Sequence, residues 1–346
     1  MPNQAFKLFA FQNLIKCRRF DISGAKMGST GRASLLEVAE KEVDFTVFSL
    51  SWIPSSARLV VSGASNAGAG LIKVFSLGGR DLSETGSANL PRAIRCGTFY
   101  VCDLTDRVYC CGDFSGSLVF WDIETLLQVD TVKAHSDIVN TIAGGGIGSS
   151  EVVTGGRDGE VKLWDRRTLE KPILRMSPGE TETKRDCWSV SHSGPDSKLV
   201  AAGFDNGDIK VFDVRATKLL WETSLSRGVS NLNLVQGSTP GLVAGTVQGK
   251  LFKWKISSGD STQSTQLDKS TVWSTEMIKD GTLVSCMGSG ALCVTEYNKD
   301  GLECVNTHQI SEPPLTGLAT SSDKPGLFAT SSFDKSIRIY FYTGAK

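Results

Sequence analysis

The chain of 346 residues carries 37 Lys plus Arg against 37 Asp plus Glu, so no global field draws it to nucleic acid or to a membrane surface. No apolar run approaches the roughly 18 residues of a membrane span. Nine cysteines without a C-x-x-C pair, and only three histidines, argue against a zinc site and for reduced structural thiols, with no metal and no cofactor expected.

Residues 1–32 read as a separate basic extension. Lys7, Lys16, Arg18, Arg19, Lys26 and Arg32 face a single acid, Asp21. Lys7 interrupts the cluster of Phe6, Leu8, Phe9 and Phe11, so no secretory h-region is evident. A disordered arm or a true start at Met27 is expected ahead of an organelle transit peptide.

Beyond residue 32 one phrase recurs seven times, most clearly as Arg157-Asp158-Gly159-Glu160-Val161-Lys162-Leu163-Trp164-Asp165. Its aromatic position falls at Phe75, Trp121, Trp164, Phe212, Trp254, Thr295 and Tyr340, spaced by 46, 43, 48, 42, 41 and 45. A period of about 40–45 residues ending in Trp-Asp, with four short strands per repeat, predicts an all-β, seven-bladed WD40 β-propeller over residues 33–346. The chain stops directly after the seventh strand c, so an N-terminal strand at about 34–39 is expected to close the ring and remove its edges.

In the third repeat, residues 137–142 read as strand a, 151–155 as strand b and 161–164 as strand c. The tight turns call for positive φ at Gly70, Gly116, Gly159, Gly207, Gly249 and Gly290, with Lys335 in that place in the last repeat. Along strand c, Ile209 and Val211, or Ile337 and Ile339, should face a blade interface while Lys210 or Arg338 faces out. Cys110 and Cys293 fall inside strands as small apolar fillers.

The third repeat alone holds a full structural tetrad: His135, Thr154, Asp158 and Trp164. Its likeness to a catalytic triad is superficial, because an imidazole between a carboxylate and a hydroxyl, with an indole N–H on that hydroxyl, is a self-satisfied buried network. The other repeats lack the histidine and must rely on apolar packing. Gly144-Gly145-Gly146-Ile147-Gly148 lacks the helix and distant acid of a dinucleotide loop and belongs to an a–b hairpin. With no nucleophile elbow and no phosphate loop, the chain reads as non-catalytic.

What remains is surface. The residues two before each turn glycine should ring the channel mouth: Gly68, Phe114, Arg157, Asp205, Val247, Gly288 and Phe333. Exposed aromatic and Arg side chains on a rigid rim are typical interface anchors. Trp188 and Trp273 open strand a in two repeats and either join that rim or belong to the core.

Several strings are more specific. Arg95-Cys96-Gly97-Thr98-Phe99, Lys184-Arg185-Asp186-Cys187-Trp188, Asp205-Asn206-Gly207-Asp208-Ile209-Lys210 with Phe212-Asp213, and Ser270-Thr271-Val272-Trp273 resemble the Monad family (WD repeat-containing protein 92) from about Glu42 to the C-terminus. Residues 1–32 lie outside the resemblance, and the sixth repeat is weak, with Thr295 in the aromatic place. The resemblance implies a non-catalytic cytosolic adaptor of a co-chaperone assembly of RuvB-like ATPases with prefoldin-like subunits, engaged in preassembly of axonemal dynein arms. It implies dynein heavy chains as clients, a cytoplasmic location and a monomer outside its complexes. Arg185 and Trp188 are the first candidates for partner contact. A different class stays open: Trp164-Asp165-Arg166-Arg167, echoed by Phe212-Asp213-Val214-Arg215, matches the W-D-x-R pattern of cullin-RING substrate receptors, where Arg167 and Arg215 would dock on the ligase adaptor.

Overall fold

The computed structural model describes residues 34–99, 107–146, 149–177, 184–194, 198–236, 240–299 and 301–344. The basic segment 1–32 lies outside them. The described residues form seven four-stranded antiparallel sheets. Among them no helix is long and apolar enough to cross a membrane.

Six blades are consecutive in the chain, with strand a innermost and strand d outermost, and innermost strands touch from blade to blade around the full ring. Blade 7 is built from both ends. Its strands a to c are Leu315–Thr320, Leu327–Ser332 and Ser336–Tyr342, and its outer strand is Leu35–Glu42. Leu35 pairs with Tyr342 and Glu42 with Ser336, so the expected closing strand is present and runs three residues beyond position 39. Leu35, Val38 and Ala39 are buried there.

In blade 3, strand a is Val139–Gly144, strand b Glu151–Gly156 and strand c Val161–Asp165. Asp137 and Ile138 therefore belong to the approach loop rather than to the strand. Strand d, Leu174–Met176, has only three residues.

The turn glycines follow the expectation in five of the six repeats where glycine was placed. Gly116, Gly159, Gly207, Gly249 and Gly290 have φ between 75° and 101°, and Lys335 takes the same left-handed conformation at 64°. Gly70 is the exception: it opens strand c, and the positive φ of 82° sits at Gly68. The hairpin of blade 1 is longer, with Ala64 still paired to Gly70. Glycine is needed at 70 for close approach instead, since a Cβ there would lie 2.1 Å from the carbonyl oxygen of Arg92. Gly68 thus sits inside this longer turn and not at the register of the channel-mouth ring.

Ile209, Val211, Ile337 and Ile339 are fully buried, as their alternation requires. Their polar neighbours are less open than expected. Lys162 and Lys253 keep only 6% and 3% exposure, and Arg338 is engaged by Glu40 and Asp334. In a closed ring both faces of a sheet meet a neighbouring blade, so strand c has no free face. The cations reach out for partners: Lys162 Nζ donates to the Ala134 carbonyl at 2.6 Å, and Lys253 lies 4.2 Å from the Tyr297 ring.

Apolar packing is joined by a polar girdle the repeat pattern did not reveal. Each blade junction carries a side-chain bond to the backbone of the adjacent inner strand. Ser51 Oγ donates to Gly97, Cys96 Sγ to Val139, Asn140 Nδ2 to Cys187 and Ser230 Oγ to Val272. Ser189 Oγ accepts from Leu232 N–H, Glu276 Oε2 from Thr320 N–H, and Trp52 Nε1 donates to Ala319 across the first-to-last junction. The seven described cysteines are free thiols, Cys110 and Cys293 buried among them.

Candidate functional site: the channel mouth

The inner strands enclose a channel of about 740 Å³. Strand a of every blade carries a β-bulge near its start, between Val47 and Ser49 in blade 1 and at the matching place in the other six. The residue inside the bulge is Phe48, Arg95, Asn140, Trp188, Ser230, Trp273 or Thr316, and all seven line the channel. A bulge re-aims one side chain out of the pleat and twists the strand. Here it turns seven successive blades toward a common mouth.

The b–c turns bring the second set of residues to this mouth. Backbone N–H groups of Phe114, Arg157, Asp205, Val247, Gly288 and Phe333 donate to the carbonyl ahead of their own strand a, which pins each turn beside the bulge. Phe48 and Phe114 meet with ring centroids 5.7 Å apart, and the Arg95 guanidinium lies 5.7 Å over Phe48. Trp273 and Phe333 meet edge-on at 6.4 Å and 87°. Phe114, Trp188, Trp273 and Phe333 remain 38%, 38%, 37% and 44% exposed, so the two tryptophans belong to the rim and not the core.

Arg157 and Arg185 are exposed. Arg157 Nε lies 3.5 Å from Asp186 Oδ2, whereas Arg185 has no ion pair among the described residues. Burial pushes the Asp186 carboxyl up and Arg157 pulls it back, with Asp205 and Asp137 repelling it further. Asp205 is half-buried, with one carboxylate oxygen lacking a described partner.

Below the rim of blade 3 stands the tetrad. His135 Nδ1 is 2.9 Å from Asp158 Oδ1, His135 Nε2 2.8 Å from Thr154 Oγ1, and Trp164 Nε1 donates to Thr154 Oγ1 at 3.1 Å. The network assigns the proton to Nδ1, with the Thr154 hydroxyl donating to Nε2. Burial works against ionisation of Asp158. His135 and the N–H groups of Ser136 and Glu160 nonetheless hold its carboxyl well below the usual range. The ligand atoms of His135, Asp158 and Glu160 lie within 4.8 Å of one another. Both ring nitrogens are already engaged, and Glu160 is 2.5 Å from Lys162 Nζ, so this donor set is closed on itself.

Arg167 and Arg215 lie at the far end of strand c. The Arg167 guanidinium grips its own Asp165 at 2.6–3.1 Å and holds that carboxyl down at about 2. The Arg after Trp-Asp thus caps a turn. Arg215 is exposed at the corresponding place in blade 4.

The sequence places Phe114, Arg157, Asp205, Val247, Gly288 and Phe333 at the rim, leaves Trp188 and Trp273 between rim and core, offers Arg185 as a partner contact, and does not point to Phe48 or Arg95. A signal was present: the seven bulge residues are themselves spaced 47, 45, 48, 42, 43 and 43 apart.

Fold and rim define a WD-repeat β-propeller. The WD domain, G-beta repeat family matches residues 127–165, the stretch that holds the tetrad. A chain of the mitotic checkpoint complex superposes with a TM-score of 0.73 over 93% of this chain and 96% of that one, at 14% identity, which speaks to fold alone. Similarity in sequence reaches further. Dynein axonemal assembly factor 10 of Bos taurus and of Homo sapiens are each 33% identical over 352 aligned positions, covering 92% of this chain and 99% of theirs. The protein of that name from Chlamydomonas reinhardtii is 30% identical with the same coverage. The chain belongs to the dynein axonemal assembly factor 10 family.

Proposed function

We propose that this protein is a non-catalytic scaffold of the cytoplasm that serves assembly of axonemal dynein, docking partner proteins on its channel mouth. The observation that carries the reading is the similarity to proteins named for dynein assembly, which covers 92% of this chain and 99% of theirs. The Monad resemblance adds the finer content: RuvB-like ATPases and prefoldin-like subunits as co-chaperone partners, with dynein heavy chains as clients. A rim of exposed aromatic and Arg side chains on a closed, rigid ring supports protein recognition. Affinity purification of the tagged full-length chain from its native cytosol, read by mass spectrometry, tests it. Recovery of RuvB-like ATPases, prefoldin-like subunits or dynein heavy chains is expected. Recovery of a cullin and its adaptor instead would overturn the reading.

A further inference from the structure

The chain is neutral overall, but the face that carries the b–c turns is not balanced in what it offers a partner. Several of its carboxylates are engaged at home, although Asp205 keeps one oxygen without a described partner. Asp113 Oδ1 accepts from Ser115 and Ser117 N–H at 2.9 and 2.8 Å, and Asp268 Oδ1 from Ser270 N–H at 2.6 Å. Asp158 is held in the tetrad, and Asp334 accepts from Ser336 N–H while pairing with Arg338. Each of these acids pins a turn.

The cations differ. Arg92, Lys184, Arg185, Arg227 and Lys269 are exposed on the loops that lead into strand a of blades 2, 4, 5 and 6, and none has an ion pair among the described residues. Asp44, Asp137 and Glu312 are exposed acids on the approach loops of the remaining sector, and Asp44 is paired to Lys73 at 3.2 Å. Spaced between these loops stand three apolar stations: the Phe48–Phe114 pair, Trp188, and the Trp273–Phe333 pair.

We propose that this face binds an acidic, aromatic-bearing segment of a partner protein. Its carboxylates would meet the free cations, and its aromatic side chains would seat on the three stations around the mouth. An extended chain of alternating acid and aromatic residues fits a rim on which cations and rings alternate. A duplex nucleic acid would instead need a continuous basic stripe. The inference rests on the scaffold reading and deepens it by giving the partner its chemistry.

Fluorescence anisotropy on the full chain tests it. The probe is a labelled peptide of about fifteen residues that interleaves Glu and Asp with Trp and Leu, alongside a basic counterpart and a single-stranded oligothymidine. The acidic peptide is expected to bind and to weaken about tenfold from 0.05 to 0.3 M salt. Combining Arg185→Glu with Arg227→Glu, both on exposed loops, should weaken it about tenfold or more with an unchanged melting temperature. Trp273→Ala should act likewise. Equal binding of the basic peptide, tighter binding of the oligonucleotide, or indifference to the charge reversals would overturn the inference. Its failure is separable from that of the scaffold reading. If the charge-reversed chain loses the peptide yet still recovers its assembly partners from cytosol, the surface is wrong. If the unaltered chain binds peptide but recovers no assembly protein, the scaffold role is wrong.

Discussion

Ser311 Oγ donates to Asp334 Oδ2 at 3.1 Å in blade 7, the place where blade 3 sets His135 on Asp158. Serine cannot reach onward as an imidazole does, so Thr330, the counterpart of Thr154, keeps a buried hydroxyl with no described partner. Tyr340 stands where Trp164 stands and turns its hydroxyl to Glu37 of the closing strand, at 3.5 Å. The two blades share a scheme, complete in one and broken in the other.

Removing the two hydroxyls should therefore have opposite effects. Thr154→Val orphans both His135 Nε2 and the Trp164 indole and should cost about 2 kcal/mol or more. Thr330→Val removes a group that already lacks a partner and should be neutral or stabilising. Urea melts of the two single variants decide the matter, and equal losses would refute the contrast.

Lys335 adopts φ 64° in the turn where other blades carry glycine. A left-handed non-glycine residue costs roughly 1–2 kcal/mol, part of which Lys335→Gly returns to the unfolded chain as entropy. The variant should gain about 0.5–1 kcal/mol, although it gives up an exposed bond to Asn66 at 3.1 Å. A lower melting temperature would contradict this.

Ring closure depends on Leu35–Glu42. A chain beginning at Val43 leaves the outer edge of Ser336–Tyr342 unpaired and, without Leu35, uncovers Phe328, Tyr340 and Tyr342. It should aggregate or melt far below the full-length protein. Scanning calorimetry with light scattering provides the check, and a soluble propeller of unchanged stability would contradict the closure.

Acid should destabilise the fold. Arg58 and Arg107 hold Glu124 down at about 2, Arg167 does the same for Asp165, and Asp158 and Asp334 are also depressed. A lowered folded pKa gives stability that is complete above the unfolded value of about 4 and lost as pH falls through the folded one. Unfolding should thus become easier from about pH 4 downward. Glu276 has the opposite sign: burial raises its pKa against the Thr320 N–H, so its contribution fades as pH rises. Glu276→Gln keeps an acceptor for Thr320 and should raise the melting temperature at pH 7 but not at pH 4. Melting curves at the two pH values read both effects.

Arg167→Ala separates the turn cap from a ligase-docking role. With the guanidinium bound to Asp165 on an exposed turn, the variant should lose little stability and recover the same partners on affinity purification. Selective loss of a cullin adaptor with the fold intact would favour docking.

Repetition made the propeller legible in one dimension. Turn glycines, period-two strands and the spacing of aromatics are local requirements, and a chain that states them seven times leaves little choice of architecture. The tetrad was legible for the same reason, since His135, Thr154, Asp158 and Trp164 lie within one repeat. What joins blades was not. Ser51 on Gly97, Ser189 on Leu232 and Trp52 on Ala319 are bonds between strands one blade apart or at opposite ends of the chain.

The mouth divides along the same line. Phe114 and Phe333 were readable because a turn position is fixed by its glycine or its substitute. Phe48 and Arg95 were not, because alternation cannot tell which of two adjacent residues a bulge will re-aim, and only the paired strand decides it. The sequence by itself determined the blades, their number and the strand that closes them. Only the tertiary structure decided which cations of this face stay free: Asp113, Asp158, Asp268 and Asp334 are taken up by their own turns, and that is a property of distance, not of sequence.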